Sequence, residues 1–202
     1  MTHFLMNTLF ALRGGLKRRN QLLQQLHFVA NESVFIICIC VAFAAVVTVL
    51  ESSFHMKLVV QSDAMVPGFS VLLILRELGA IVTALLLTSR VGAGMAAEIA
   101  SMKISEQIEA LRLLGVNPFE YLVVPRWVAS TVGTVILVAI ANTVCIYCSM
   151  LVSQYVLGMP SELFWQTMNR FVDYQDFIFS LIKAAAFGSV IPLISCYYAF
   201  KT

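Results

Sequence analysis

Two adjacent charged residues, Arg76 and Glu77, interrupt an apolar stretch at residues 64–97 and are the side chains best able to do chemistry in this chain. Charge is costly inside a bilayer, where it faces a cavity, a pathway or an opposite charge. Neighbouring residues on a helix point about 100° apart, so these two cannot both face one partner directly. Their types and spacing fit two arrangements equally well: contact with a cavity or polar head group, and an interhelical ion pair that only fixes packing.

A polar segment at residues 98–125 follows this stretch and has helical periodicity. Charged residues alternate with apolar ones in its first part, as expected for an amphipathic helix, and they are Glu98, Lys103, Glu106, Glu109 and Arg112. Gly115 suits a left-handed C-terminal cap, and Pro118 suits the first turn of a second short helix. The pattern predicts either a rigid helix–turn–helix that pushes against a partner or a solvated loop helix without one.

The elements that position these residues are membrane helices. Apolar residues make up 60% of the 202 residues and charged residues 12%, an apolar excess over soluble domains. Four stretches are long enough to cross a bilayer, at residues 33–50, 69–97, 127–157 and 177–200. Residues 4–29 mix apolar and basic side chains, which favours a helix in the membrane interface over a solvated tail. We predict an all-α integral membrane protein forming a single domain over residues 1–202.

The distribution of Lys and Arg predicts the orientation of the spans. Basic residues are concentrated before the first span and between the second and third, so these segments and the end of the chain are expected in the cytoplasm. Residues 51–68 and 158–176 are then expected outside. The net charge of +2 reflects this asymmetry, since no basic cluster is interleaved with aromatic residues as in nucleic-acid-binding proteins.

Small residues recur every four positions along the second span, and they are Ala84, Thr88, Gly92 and Ala96. Small residues at this spacing let two helix backbones approach closely in lipid. The ladder fits packing within one chain and packing across a homodimer equally well.

Signals for an enzyme are weak. The three histidines, His3, His27 and His55, are isolated, so we predict no catalytic residue and no metal site. There is no phosphate-binding loop motif, so if ATP drives the protein, ATP and Mg must bind to a separate ATPase subunit. Cys145-x-x-Cys148 has redox or zinc spacing, but its apolar neighbours favour small apolar packing residues.

The second span and the segment after it resemble the MlaE/YrbE permease family over about residues 70–130. The residues that carry the resemblance are Arg76-Glu77-Leu78-Gly79, Arg90-Val91-Gly92, Ala97-Glu98-Ile99, Met102-Lys103, Glu106-Gln107-Ile108-Glu109-Ala110 and Gly115-Val116-Asn117-Pro118. Members of this family are the membrane subunits of lipid-transporting ABC systems. Glu109-Ala110 followed by Gly115 also resembles the short EAA-type loop by which importer permeases contact their ATPases.

The resemblance implies a homodimer in a bacterial inner membrane, bound to two cytoplasmic ABC ATPase subunits and to an external MCE-domain lipid-binding protein. The cargo it implies is phospholipid or a similar lipid, moved between membranes. Arg76, Glu77 and Leu78 are then expected beside a lipid cavity near the dimer interface. The coupling region at residues 98–125 is expected to transmit ATP-driven closure through its charged residues and Gly115.

The chain departs from the family at two positions. Ala80 stands where the family usually has Pro after Arg-Glu-Leu-Gly, which removes a source of helix kinking. The family usually has a fifth span beyond the position of Lys201-Thr202, so we expect this sequence to be incomplete.

Two other functions compete with an ATP-driven lipid permease. A secondary transporter would use Arg76, Glu77 and Lys183 as ion or proton groups, although the internal repeat usual in such proteins is not visible. A non-transporting scaffold would only anchor an external lipid-binding protein in the membrane.

Overall fold

The computed structural model describes residues 4, 6, 8, 19–59 and 65–201, and all regular structure in these ranges is helical. The helices are α1 (Arg19–Val59), α2 (Val66–Ile104), α3 (Gln107–Leu113), α4 (Phe119–Tyr155), α5 (Ser161–Phe171) and α6 (Tyr174–Lys201). Four of them, α1, α2, α4 and α6, are long and apolar enough to cross a membrane. The predictions of an all-α membrane protein and of four spans are confirmed.

The long helices are longer than the apolar stretches that predicted them. With its 39 residues, α2 is about 58 Å long, whereas the hydrocarbon core of a bilayer is about 30 Å thick. Hydropathy detects only the apolar part of a helix, and the helical backbone hydrogen bonds continue into the polar residues on either side of that part. For this reason α1, α2 and α6 extend past both predicted ends, and α4 begins earlier than predicted and ends at Tyr155.

The predicted interfacial helix at residues 4–29 lies partly outside the described residues, at 5, 7 and 9–18. Phe4, Met6 and Thr8 are helical, and residues 19–29 are continuous with the first span in α1.

The chain divides into two compact units, and each contains segments of all four long helices. Unit 1 comprises Met1–Ser33, Ala84–Val135 and Ala185–Thr202, and unit 2 comprises Val34–Thr83 and Ile136–Ala184. The single permease domain over residues 1–202 stays a prediction.

In unit 2, the short helix α5 covers the beginning of α2. Pro160 immediately precedes α5, and Phe164 on its inner face is almost fully buried against Val71 and Leu75. In unit 1, a cluster of apolar residues joins the end of α2, α3, the beginning of α4 and the end of α6. Its fully buried members are Ile99, Ile108, Leu122, Val123, Cys196 and Ala199.

Wide π-helical turns interrupt α2 at Ile74–Leu78 and Thr88–Gly92. Such a turn holds one residue more than an α turn, so the side chains after it move to a neighbouring face. The small-residue ladder therefore does not form one continuous strip: Ala84 and Gly92 are buried, but Thr88 is exposed. Gly92 packs within the chain, since an added Cβ would lie 3.1 Å from Ser195 Oγ.

Two glycines of α2 give a matched test of this packing. A Cβ at Gly79 would clash with Oδ1 of the buried Asn142, whereas a Cβ at Gly94 would approach nothing closer than Phe28 Cζ at 3.7 Å. Both changes to Ala improve helix propensity by about 1 kcal/mol, but only Gly79→Ala overpacks the core, at about 1–3 kcal/mol. We expect Gly79→Ala to melt below wild type and Gly94→Ala at or above it in detergent. Equal melting temperatures for the two variants would contradict this packing.

Candidate functional site

Four charged residues form two interhelical ion pairs in unit 2. Arg76 Nε donates to Asp176 Oδ1 at 2.6 Å, and Lys183 Nζ donates to Glu77 Oε1 at 3.2 Å. Lys183 Nζ also donates to the backbone oxygen of Arg76 at 2.5 Å. The prediction that Arg76 and Glu77 face different partners is confirmed.

The order of residues along two helices produces this arrangement. Arg76 and Glu77 lie in the first wide turn of α2, and Asp176 and Lys183 lie about two helical turns apart on one face of α6. Ser180 lies between them on the same face, and its buried hydroxyl accepts a hydrogen bond from Asn142 Nδ2 at 3.0 Å. A polar stripe on α6 thus contacts both α2 and α4.

The ion pairs also border a cleft. Arg76 and Glu77 are 58% and 57% exposed, and with Gln175, Asp176 and Phe179 they line a cleft of about 330 Å³. The charges are therefore paired and also line this cleft, and their role beside a lipid cavity stays a prediction. Leu78, the third predicted cavity residue, is half-buried in the same turn and does not line this cleft.

Sequence reasoning missed Asp176, which it placed only in an external connection. The signal that could have found it is its spacing from Lys183, because an acid and a base two turns apart can pair with consecutive Arg and Glu on a neighbouring helix.

The predicted coupling region is built differently from a single amphipathic helix. Residues 98–104 belong to the end of α2, and the chain turns at Ser105 and Glu106, where Glu106 adopts a left-handed conformation with φ of 56°. The turn allows α3 to fold back onto the buried cluster of unit 1. Pro118 precedes α4 and opens that long helix, so a separate second short helix is not formed.

The predicted cap at Gly115 is confirmed. Gly115 has a φ of 73°, its N–H donates to the Arg112 oxygen at 3.0 Å, and the Val116 N–H donates to the Leu111 oxygen at 3.0 Å. These two bonds define a Schellman motif, which satisfies the last carbonyl groups of α3. The side-chain oxygen of Asn117 then accepts a hydrogen bond from the Phe119 N–H and fixes the start of α4.

The six predicted coupling residues fall into two groups. Glu98 pairs with the buried Arg126 at 2.8 Å, and Lys103 Nζ donates to the Phe200 oxygen at 2.7 Å, so both tie helices together within the chain. Glu106, Glu109, Arg112 and Gly115 are exposed on the turn and on α3.

Three large apolar side chains project beside these charges, with Ile104, Leu113 and Leu114 being 80%, 90% and 77% exposed. Leu114 lies at the capping turn of α3 and is not part of the buried cluster. Clustered exposed apolar residues mark interaction sites.

These features define a class of protein: a multi-pass α-helical membrane protein with charged residues at a cleft among its spans and a short, capped, partly apolar helix between the second and third spans. Comparison with known proteins agrees. The family model described as Permease MlaE matches residues 22–202.

Several relatives are similar over most of the chain. A probable ABC transporter permease protein of Rickettsia typhi is 34% identical over 179 residues, which cover 89% of this chain and 69% of the relative. A second, from Synechocystis sp., is 30% identical over 194 residues, covering 96% of this chain and 73% of the relative. Protein TRIGALACTOSYLDIACYLGLYCEROL 1, chloroplastic, of Arabidopsis thaliana is 34% identical over 127 residues, covering 63% of this chain and 36% of the relative.

The chain belongs to the MlaE permease family, and it is a membrane-embedded permease subunit of an ABC transporter.

Proposed function

We propose that this permease lies in the bacterial inner membrane and moves phospholipid or a similar lipid between membranes. The observation that carries the proposal is the charged cleft of unit 2. Among the described residues, the Arg76 guanidinium bonds Asp176 through Nε, so its two amino groups can donate to a phosphate oxygen, the contact that arginine makes best. The name of the Arabidopsis thaliana relative also contains the name of a diacylglycerol lipid, which supports lipid as the cargo class.

The mechanism that we propose is mechanical. A separate ATPase subunit binds ATP and Mg, contacts the exposed α3 and its capping turn, and moves them when it closes. Glu98–Arg126 and Lys103–Phe200 tie the end of α2 to α4 and α6, so movement of this segment acts on three spans together. ATP biases the cycle because it binds one conformation more tightly than the other.

The same proposal includes a homodimer and an external MCE-domain partner that delivers or receives lipid. Affinity purification from native cells in nanodiscs, with mass spectrometry of proteins and lipids, tests it. We expect an ATPase with a phosphate-binding loop and an MCE-domain protein in fixed ratio to this chain, together with bound phospholipid. Purification with the ATPase but without bound lipid would contradict lipid as the cargo.

The interhelical charge network favours one competing function, a secondary transporter in which Asp176, Glu77 or Lys183 carries an ion or a proton. Charged residues within spans are typical of such relays. In proteoliposomes that contain the chain alone, this function predicts transport driven by an ion gradient without ATP. We expect no such transport.

A further inference from the structure

A cleft of about 180 Å³ with both polar and apolar walls lies in unit 1, where the beginnings of α1 and α4 meet the end of α2. Three glutamines of α1, Gln21, Gln24 and Gln25, line it together with Glu98 of α2 and Arg126 of α4. The cleft fits a head group and is too small for acyl chains.

Two residues that line this cleft carry buried polar atoms without hydrogen-bond partners among the described residues. Arg126 is 3% exposed, and its Nη2 bonds Glu98 while its Nη1 has no acceptor. The Oε1 of Gln21 is also buried and has no donor. Nearly all buried polar groups in proteins are hydrogen-bonded, so a lone donor and a lone acceptor at one cleft indicate a bound polar group.

The charges of the cleft select the chemistry of that group. Arg126 supplies a cation, Glu98 supplies a half-exposed anion, and the glutamine amides supply both donors and acceptors. Glu98 would repel a simple anion and Arg126 a simple cation. A zwitterion avoids both penalties, because its phosphate can accept from Arg126 and its ammonium can donate to Glu98.

We propose that this cleft binds a phosphate-and-ammonium zwitterion with the chemistry of a phosphoethanolamine head group. The phosphate accepts hydrogen bonds from the N–H groups of Arg126 and of the glutamines, and the ammonium donates hydrogen bonds to Glu98 and to Gln21 Oε1. Glu98 and Arg126 directly flank the spans predicted at residues 69–97 and 127–157, so we expect the cleft at the depth of the lipid head groups. It belongs to unit 1, and it stands whether or not lipid is the cargo of the charged cleft in unit 2.

Lipid retention measures this selectivity. The full-length protein is placed in nanodiscs of phosphatidylcholine with equal amounts of phosphatidylethanolamine and phosphatidylglycerol, and retained lipids are counted by native mass spectrometry. We expect wild type to retain phosphatidylethanolamine about tenfold over phosphatidylglycerol, the ratio that one charge-assisted hydrogen bond supplies. Equal retention of the two lipids would overturn the proposal.

Variants separate binding from folding, since removal of the buried Arg126 would disturb the protein itself. Glu98→Gln keeps the shape of the side chain but leaves the site with a net positive charge, so we expect the preference to shift towards phosphatidylglycerol. Gln25→Leu should lower retention of phosphatidylethanolamine, and Gln166→Leu, on the exposed face of α5, should not. An unchanged preference in Glu98→Gln, or equal effects of the two glutamine changes, would overturn the proposal.

A second experiment distinguishes a lipid from a soluble source of the same chemistry. Glycerophosphoethanolamine, which lacks acyl chains, is titrated into the protein in phosphatidylcholine nanodiscs. If glycerophosphoethanolamine binds and Gln25→Leu weakens its binding, the site recognises the head-group chemistry alone. If glycerophosphoethanolamine does not bind but phosphatidylethanolamine is selectively retained, the site recognises the intact lipid. If neither ligand binds selectively, the cleft holds only water and the proposal is wrong.

Discussion

A Gly115→Val variant is expected to insert into the membrane normally and to lose most of its binding to the ATPase subunit. Gly115 adopts a φ of 73°, and its N–H and that of Val116 close the end of α3. A side chain with a branched Cβ is strained in this conformation by about 1–2 kcal/mol or more, so the cap loosens and the exposed face of α3 loses its fixed geometry. An energy of this size lowers affinity about 5- to 30-fold, which co-purification or titration with the ATPase measures.

Gly158 supplies a matched control. It also has a left-handed conformation, with φ of 67°, and an added Cβ at either glycine meets no atom within 4 Å. Gly158→Val thus carries the same backbone strain in the connection before α5, which belongs to unit 2 and not to the unit that contains α3. If both variants bind the ATPase as tightly as wild type, α3 is not the docking element.

Reversal of one charge in unit 2 is expected to reduce bound lipid without dissociating the complex. In a Glu77→Lys variant, an ammonium faces Lys183 at a site where the native atoms are 3.2 Å apart, and the cleft beside Arg76 changes its charge. Because the pair is partly exposed, we expect a loss of stability of about 1 kcal/mol and a much larger loss of bound phospholipid. Thermal unfolding and lipid analysis of the purified complex measure the two effects separately.

The double variant Glu77→Lys with Lys183→Glu restores the ion pair in the opposite direction. We expect it to regain stability but not lipid, because the order of charges along the cleft stays reversed. Glu51→Lys makes the same charge change at an exposed position of α1 outside the cleft and should retain wild-type lipid. Full recovery of lipid in the double variant would show that the pair only fixes packing.

Sequence predicted the features that depend on local chemistry. Four spans follow from runs of apolar residues, and the cap at Gly115 follows from the freedom of glycine to adopt a positive φ. The partners of Arg76 and Glu77 could not be predicted, because the contact of α2 with Asp176 and Lys183 depends on tertiary packing. The turn at Glu106 could not be predicted either, since a non-glycine residue rarely adopts a left-handed conformation. Here this conformation allows α3 to pack onto the buried cluster that contains Ile108.

Because α2 contains wide turns, the number of residues in each turn helps to determine which side chains face which neighbouring helix. Arg76 and Arg90 each lie in such a turn, and each contacts a neighbouring helix: Arg76 pairs with Asp176 of α6, and Arg90 pairs with Glu32 of α1. A wide turn holds one residue more than an α turn, so deletion of one residue from it would leave an unbroken α-helix with the side chains beyond it on nearly the same faces. A homologue with a one-residue gap at either turn can therefore keep the contacts that α2 makes beyond that turn, and it differs only in the side chains that the turn itself presents.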